Sequence, residues 1–221
     1  GKSTLLNCIA GVHLPEEGSI FLNGREITHL ADYQRAASIC RIFQDPMIGT
    51  AASLTVEENL ALALRRGQRR RLNRAITGSE RKLFRQKLAV LELGLEDRLT
   101  TQVKLLSGGQ RQALALLMAT LVRPKLALLD EHTASLDPKT ALRVLHLTKT
   151  LFENEKITTL MITHNMEQAL DLGRRLIMLH EGSIILDVND LERDGLTVSR
   201  LVELFHDASG EQLDNDRLLL H

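Results

Sequence analysis

The spacing of apolar residues changes along the chain and divides it into two kinds of region. From Ala51 to Ala119 apolar residues recur at helical intervals, and no clear strand pattern interrupts them. Beyond this block, short apolar runs alternate with helical patterns, beginning with the strand pattern Leu126–Asp130 and the helical pattern Pro138–Asn154. Because such alternation is typical of βαβ units, it predicts a mostly parallel sheet with helices on its faces.

The other predicted elements are shorter. Ser3–Ala10 is a predicted helix that ends at Gly11, and Ser38–Phe43 is a predicted strand. The block contains three predicted helices: Thr55–Arg66, Ser79–Leu93 with Ser79 as N-cap, and Arg111–Val122. Outside it, a strand with an Asn-Gly turn is predicted at Gly18–Gly24, a second strand at Ile157–Ile162, and a hairpin at Leu176–His180 with Ser183–Asp187. The other predicted helices are Met166–Gly173 and, in the tail, Thr197–His206.

Length and composition fit one folded domain. The 221 residues are 43% hydrophobic and 25% charged, which excludes a disordered chain and suits a domain with an inserted subdomain. We predict a single domain over residues 1–221, with an α/β core at 1–50 and 120–221 and a helical subdomain at 51–119. Because the longest apolar stretch is too short to cross a bilayer and no signal peptide is visible, a cytoplasmic location is expected.

Charge and aromatic content argue against a nucleic-acid partner. Lys+Arg and Asp+Glu number 28 each, and the chain has no tryptophan and one tyrosine, so neither a net positive field nor base-stacking platforms are expected. A local basic run is either a solvated loop or a contact with anionic lipid or with a partner at a membrane: Arg65, Arg66, Arg69, Arg70, Arg71 and Arg74.

The first four residues carry a phosphate-binding pattern. Gly1-Lys2-Ser3-Thr4 matches the end of the loop G-x-x-x-x-G-K-[ST]. In that loop the positively charged lysine side chain lies beside the β- and γ-phosphates, and the serine hydroxyl binds Mg²⁺. N–H groups of the following helix face the same anion. The alternative is an ordinary helix start, since Gly-Lys-Ser is common.

Acidic and polar side chains follow the predicted strands. Asp130 and Glu131 stand where a strand ends, and ligands of parallel sheets bind at the carboxyl ends of strands. There Asp130 can hold Mg²⁺, directly or through water, and Glu131 can act as general base on an attacking water. Gln44 can reach the metal or that water, and His164 can hydrogen-bond a terminal phosphate. A pair of acids at a strand exit and a surface histidine are the ordinary alternatives.

A second anion site is predicted directly before the helical pattern Arg111–Val122. Leu106-Ser107-Gly108-Gly109-Gln110 leaves a hydroxyl and bare N–H groups at a helix N-terminus. Taken alone, Ser-Gly-Gly is a common loop sequence. The other motifs in the chain give it weight.

In their order along the chain, these motifs resemble the ATP-binding cassette of ABC transporters. Gly1-Lys2-Ser3-Thr4 resembles the end of Walker A, and Gln44 resembles the Q-loop glutamine. Leu106–Gln110 resembles the signature, and Leu126–Asp130 with Glu131 resembles Walker B and its catalytic glutamate. Ser135-Leu136-Asp137 resembles the D-loop, and His164 resembles the switch histidine. The resemblance covers nearly the whole chain. It implies a RecA-like P-loop NTPase fold and the hydrolysis of ATP with Mg²⁺.

The resemblance also implies a head-to-tail dimer of cassettes, homomeric or heteromeric. Each ATP would lie between Walker A of one subunit and the signature of the other. Ser107 and Gly109 would contact the γ-phosphate of ATP held by the second cassette, and Gly108, Gln110 and Asp137 would belong to the same site. ATP would close the dimer, and hydrolysis would open it.

Transport is a further implication. The helical block after Gln44 would receive a coupling helix from an integral-membrane permease, which would place the chain on the inner face of the cell membrane. His132 follows Glu131 where the family often has proline, and the local wording is similar to a subgroup of bacterial importers. Those importers work with an extracytoplasmic solute-binding protein, and amino acids are the implied solutes.

Two alternatives to an importer subunit stay open. A non-transport cassette would act on ribosomes or DNA, which the single cassette and the balanced charge disfavour. A truncated, inactive cassette would offer only its signature to an intact partner. Because the glycines and the strand expected before Gly1 are not in the sequence, we expect this chain to bind ATP poorly and its sheet to lack a central strand.

Overall fold

The structure, a computed structural model, describes residues 1–68, 76–189 and 195–209. These residues form two compact units. The smaller unit contains Gly1–Leu6 and the described residues from Met161 onward, and the larger unit is Asn7–Leu160. The predicted helical subdomain at residues 51–119 stays a prediction.

Helices and strands alternate along much of the chain. In order they are α1 (Lys2–Ala10), β1 (Phe21–Leu22), β2 (Arg25–Glu26), α2 (Asp32–Arg35), β3 (Ile39–Ile42), α3 (Val56–Leu64), α4 (Gly78–Ala89), α5 (Gly108–Leu121), β4 (Leu126–Asp130), α6 (Pro138–Asn154), β5 (Thr158–Ile162), α7 (Met166–Leu172), β6 (Leu176–His180), β7 (Ser183–Val188) and α8 (Val198–Ser209).

One sheet has the strand order β3-β4-β5. β3 and β4 are parallel, with Ile39 opposite Leu126 and Ile42 opposite Leu129. The chain between these two strands contains α3, α4 and α5, which is the kind of long crossover that parallel strands require. The predicted α/β fold with a parallel sheet is therefore confirmed.

Apolar side chains of α3, α4 and α5 pack against one another in the larger unit. Leu60 of α3, Phe84 of α4 and Leu114 of α5 are completely buried in one cluster. Burial contributes about 1.5–3 kcal/mol for each such side chain, so tertiary packing rather than helix propensity stabilises these helices.

The predicted bounds of α4 are wrong at both ends. Its N-cap is Thr77 rather than Ser79, because the Thr77 hydroxyl accepts a hydrogen bond from the Glu80 N–H while the Glu80 carboxylate accepts one from the Thr77 N–H. This reciprocal capping box satisfies two N–H groups. The helix ends at Ala89, and Glu92 then adopts a positive φ of 53°, which is incompatible with helical backbone.

The sequence patterns missed α2 and the buried arginine at its end. The Arg35 guanidinium donates hydrogen bonds to the backbone carbonyls of Cys8, Ile9, Thr28 and Leu30. Two of these carbonyls belong to the last turn of α1, where the helix dipole favours a cation. Arg35 therefore fixes the end of α1 against the segment that leads to β3.

The smaller unit contains the hairpin β6–β7, which packs on α8. Leu176, Val188 and Leu201 form its buried cluster. The hairpin agrees with the prediction, except that β7 extends one residue further, to Val188. Within the described part of the chain, no helix combines the length and the apolar character that crossing a membrane requires.

The arginine-rich run is described only in part. Arg65 pairs with Glu80 at 2.9 Å, and Arg66 donates to the carbonyls of Ala119 and Val122. The other four arginines of the run lie outside the described residues: Arg69, Arg70, Arg71 and Arg74. The choice between a solvated loop and a membrane contact therefore stays a prediction.

Candidate functional site

The carboxyl ends of β3 and β4 bring two predicted site residues to one edge of the sheet. Ile42 of β3 lies opposite Leu129 of β4, so the two parallel strands end side by side. Asp130 is the last residue of β4, and Gln44 lies two residues beyond the end of β3. Gln44 is exposed, Asp130 is half-buried, and the Ser135 hydroxyl donates to the backbone carbonyl of Gln44 at 3.1 Å. A ligand of a parallel sheet is expected at this edge.

Asp130 forms an ion pair that the sequence patterns do not predict. Nη2 of Arg41 lies 3.0 Å from Oδ2 of Asp130, and both side chains are mostly buried, with 15% and 14% exposed. Nη1 of Arg41 also donates to Oδ1 of Asn7, and the guanidinium carbon lies 4.7 Å from the centre of the Phe43 ring. The available signal was an arginine inside the apolar strand β3, since a buried charge requires a partner.

Glu131 follows β4 in a conformation that is unusual for a glutamate. Its φ is 45°, in the left-handed region, where a residue other than glycine is strained. The next residue, His132, is only 2% exposed, and its Nε2 lies 3.0 Å from the Thr148 hydroxyl. Since that hydroxyl donates to the carbonyl of Val144, Nε2–H of His132 is the donor between the two side chains. Burial lowers the pKa of His132 to about 4, so the ring is neutral at pH 7.

This buried contact fixes the backbone beside Glu131. Thr148 belongs to α6, so the hydrogen bond ties the turn after β4 to that helix. Glu131 itself is only partly buried. A carboxylate at a fixed strand end with access to solvent is suitably placed to act as a general base on water.

The segment Leu106–Gln110, here called the signature segment, begins α5. Ser107 is its N-cap: the hydroxyl accepts from the Gln110 N–H at 3.3 Å, and the Gln110 amide oxygen accepts from the Ser107 N–H at 3.1 Å. In this arrangement the Ser107 hydroxyl acts as an acceptor, so its own proton is not used in the cap. An exposed hydroxyl and the start of a 14-residue helix together suit an anion.

The two glycines of the signature segment lie against the start of α6. A Cβ on Gly109 would lie 2.3 Å from Cγ2 of Thr140, and a Cβ on Gly108 would lie 3.3 Å from Cδ2 of Leu136. Gly109 is therefore required by the close approach of α5 and α6. This packing gives the motif a structural role in addition to the predicted anion contact.

Asp137 caps α6. Its carboxylate accepts from the Thr140 N–H at 3.1 Å, and hydrogen bonding by Thr140 lowers the pKa of Asp137. Pro138 follows at the first helical position, which favours the start of a helix. The structure thus places the signature segment and Asp137 at two neighbouring helix starts, and a nucleotide contact by Asp137 stays a prediction.

The predicted phosphate-loop residues and His164 belong to the smaller unit. Gly1 directly precedes α1, which begins at Lys2, one residue before its predicted start at Ser3. His164 is exposed in the turn between β5 and α7, where the Thr163 hydroxyl accepts from the Asn165 N–H at 3.0 Å. These residues are thus placed on a helix start and at a strand end.

The predicted metal ligands offer oxygen donors. Ser3, Gln44 and Asp130 supply a hydroxyl, an amide carbonyl and a carboxylate, which are the donors that Mg²⁺ takes together with phosphate and water. Groups of three or more His, Cys, Asp or Glu that could hold a metal are absent from the described residues. The three oxygen donors fit Mg²⁺ that is also bound by phosphate and water.

A cavity of about 750 Å³ lies in the larger unit between α1, β3, α3 and α5. Val12, Tyr33 and Leu62 line it and are exposed, Tyr33 to 74%. Phe43 and Met118 supply further apolar surface. The cavity thus exposes several large apolar side chains on one concave surface.

Comparison with known proteins gives a consistent result. A family model described as ABC transporter matches residues 1–134. The "Tyrosine transport ATP-binding protein" of Clostridioides difficile is 48% identical over 205 residues, which cover 93% of this chain and 81% of that protein. The "Thiamine import ATP-binding protein ThiQ" of Photorhabdus laumondii is 34% identical over 187 residues, which cover 85% and 74%.

A solved structure is also similar to this chain. It is described as the dimeric structure of a post-hydrolysis state of the ATP-binding cassette MJ0796 bound to ADP and Pi. The TM-score is 0.71 at 30% sequence identity, and the match covers 86% of this chain and 81% of the other.

Proposed function

The chain belongs to the ABC transporter family, and we propose that this ATPase energises the uptake of an amino acid into a bacterial cell. The observation that carries the proposal is the strand edge that holds Gln44, Asp130 and Glu131, because this is where the chemistry of hydrolysis requires oxygen ligands and a base. Amino acid import is supported by the tyrosine-transport relative, and a methionine-import relative of 34% identity agrees with it.

Each residue of the proposed site has one role. Lys2 contributes positive charge to the β- and γ-phosphates of ATP, and Glu131 accepts a proton from the attacking water. Ser3, Gln44 and Asp130 are the proposed ligands of Mg²⁺, which, when bound, neutralises negative charge on the transferred phosphoryl group.

The remaining site residues orient the reacting groups. His164 donates a hydrogen bond to the terminal phosphate. His132, through Thr148, keeps the backbone beside Glu131 in place.

The signature segment serves ATP held by a second cassette in this proposal. The Ser107 hydroxyl and the N–H groups at the start of α5 would bind the γ-phosphate across the dimer, with Asp137 next to them. The similar cassette of known structure is dimeric, which supports a second cassette as partner.

The cavity between α1, β3, α3 and α5 is the proposed docking place for a permease. Its apolar rim, with Tyr33 and Leu62, suits an amphipathic helix from an integral-membrane subunit. Residues of β3 line the cavity, and Gln44 follows the end of that strand. A helix docked in the cavity would therefore be coupled, through β3, to a movement of Gln44 at the strand edge. In this assembly the chain lies on the cytoplasmic face of the membrane, and an extracytoplasmic binding protein delivers the solute.

Uptake by cells that lack the chain tests the proposal. We expect such cells to lose uptake of labelled tyrosine, wild type to restore it, and Glu131→Gln to leave it at least about 100-fold below wild type, because the general base is lost. Glu92→Gln is the matched control, since Glu92 is an exposed glutamate that also has a positive φ, of 53°. Tyrosine uptake that survives loss of the chain would contradict tyrosine as the amino acid taken up, and full uptake with Glu131→Gln would contradict the mechanism.

A further inference from the structure

The side chain of Asn59 holds Ala51, which precedes α3, through both of its main-chain polar groups. Asn59 belongs to α3 and is completely buried. Its amide oxygen accepts a hydrogen bond from the Ala51 N–H at 2.8 Å, and its amide nitrogen donates to the Ala51 carbonyl at 3.0 Å. The same nitrogen donates to the carbonyl of Thr55, the N-cap of α3, at 3.0 Å. Because these bonds use the oxygen and the nitrogen of a buried amide, they fix Ala51 on α3.

The segment of residues 45–51, here called the connector, leads from the strand edge to α3. Hydrogen bonds within the connector fold it. The Ile48 N–H donates to the carbonyl of Asp45 at 3.1 Å, and the Thr50 hydroxyl donates to the carbonyl of Pro46 at 2.9 Å. Such bonds remove backbone conformations that an open loop would sample. A displacement at one end of the connector is therefore passed on to the other end.

Gln44 directly precedes the connector. The Ser135 hydroxyl donates to the carbonyl of Gln44 at 3.1 Å, while the glutamine side chain is exposed. Phe43, on the other side of Gln44, packs beside the connector, since a Cβ on Gly49 would lie 3.7 Å from the Phe43 ring. The main chain at Gln44 is thus restrained, and Asn59 anchors the far end of the connector on α3.

We propose that Asn59 is a positioning residue for Gln44: through the connector, it sets where this glutamine lies at the strand edge. The inference rests on the proposed function of Gln44 as a ligand of Mg²⁺ in ATP hydrolysis. Asn59 contacts neither the metal nor the nucleotide and acts only through Gln44. Because the ligand itself remains when Asn59 is replaced, the loss of Asn59 costs less activity than the loss of Gln44.

A double-mutant cycle on ATP hydrolysis by the full-length protein tests the proposal. We expect kcat to fall about 100-fold for Gln44→Ala, which removes the ligand, and roughly tenfold for Asn59→Ala, as the loss of an outer-shell partner does. The double variant should stay near the level of Gln44→Ala, because the position of the glutamine no longer matters once it is absent. Independent effects would instead multiply to about 1,000-fold. A merely structural role of Asn59 would lower kcat equally with and without Gln44.

Two further variants keep the result interpretable. Thr50→Val removes the hydroxyl that closes the connector and keeps the shape of the side chain, so kcat should fall a few-fold, again only while Gln44 is present. It decides the question if Asn59→Ala does not fold. Thr159→Val is the matched control, because its hydroxyl also donates to a main-chain carbonyl, that of Ile157, outside the connector. This control should leave kcat unchanged.

The outcomes separate the inference from the proposed function. If Gln44→Ala lowers kcat while Asn59→Ala, or Thr50→Val in its place, has no effect or the same effect with and without Gln44, the role of Asn59 is disproved and that of Gln44 stands. If Gln44→Ala leaves kcat unchanged, Gln44 has no part in hydrolysis, and the inference fails together with that part of the proposed function.

Discussion

Glu131 and His132 are neighbours with opposite surroundings. Glu131 is partly exposed at the strand edge with a strained φ of 45°, while His132 is buried and bonded to Thr148. The buried contact stabilises a backbone conformation that a glutamate would otherwise avoid. A histidine is thus used here as a neutral packing residue, although its side chain titrates readily in water.

The buried histidine predicts a loss of stability in mild acid. Burial lowers its pKa to about 4 in the folded protein, whereas the unfolded chain takes up the proton near pH 6.5. The contribution of His132 is therefore complete above pH 6.5 and falls as the pH drops towards 4. Between pH 7 and pH 5, wild type should lose about 2 kcal/mol of unfolding free energy more than His132→Gln, as measured by urea denaturation. An equal loss in both proteins would contradict a buried neutral ring.

The sequence identified site residues where an acidic residue type coincides with the end of a predicted strand. Asp130 and Glu131 were expected at a strand end because an apolar run precedes them, and they are placed there. Arg41 was missed because its partner lies 89 residues away, and pairing across a sheet depends on register. The apolar strand around Arg41 was the one available signal, and it does not identify the partner.

Among the elements, α5 and α6 approach each other closely at their first turns. Gly109 permits this approach, since a Cβ there would overlap Cγ2 of Thr140. Gly108 faces the end of the flexible Leu136 side chain instead, at 3.3 Å from its Cβ position. The two adjacent glycines therefore differ in what limits their substitution.

This difference predicts unequal effects of alanine. We expect Gly109→Ala to lower the unfolding free energy by about 1–3 kcal/mol, as overpacking does, and Gly108→Ala to change it by less than about 1 kcal/mol. Thr140→Ser removes the methyl group that clashes, so the double variant should recover most of the loss. Wild type, Gly109→Ala, Thr140→Ser and the double variant form a double-mutant cycle, measured by urea denaturation. If the double variant does not recover stability, the methyl group of Thr140 in α6 is not what opposes a side chain at position 109.

Some elements have their predicted bounds, whereas the long apolar helix α5 begins at Gly108 and ends at Leu121 instead of spanning Arg111–Val122. α6 and β4 have the predicted bounds, because Asp137-Pro138 marks a helix start and a short apolar run marks a buried strand. The start of α4 was misplaced because Thr77 and Ser79 are both acceptable N-caps, and only the spacing to Glu80 selects Thr77. The four-residue helix α2 has no periodic signal, and Arg35 stabilises it through tertiary hydrogen bonds.

For the whole molecule, the order of the motifs was more informative than any single motif. Each of them has an ordinary structural alternative, and the structure indeed gives Ser107 and Asp137 roles as helix caps. Family membership is confirmed by the match of residues 1–134 and by the relatives. The solute and the permease depend on other chains, so this sequence carries only indirect information about them.

In the proposed dimer, the signature segment of one chain completes the ATP site of another. Lys2→Ala and Ser107→Arg variants of the full-length protein, each purified, should be inactive alone, because every site in either dimer lacks a component. When the two are mixed in equal amounts, half of the dimers combine both variants and contain one intact site. ATP hydrolysis should therefore return to about a quarter of the wild-type rate. If the mixture stays as inactive as the separate variants, the signature segment of one chain does not complete the ATP site of another.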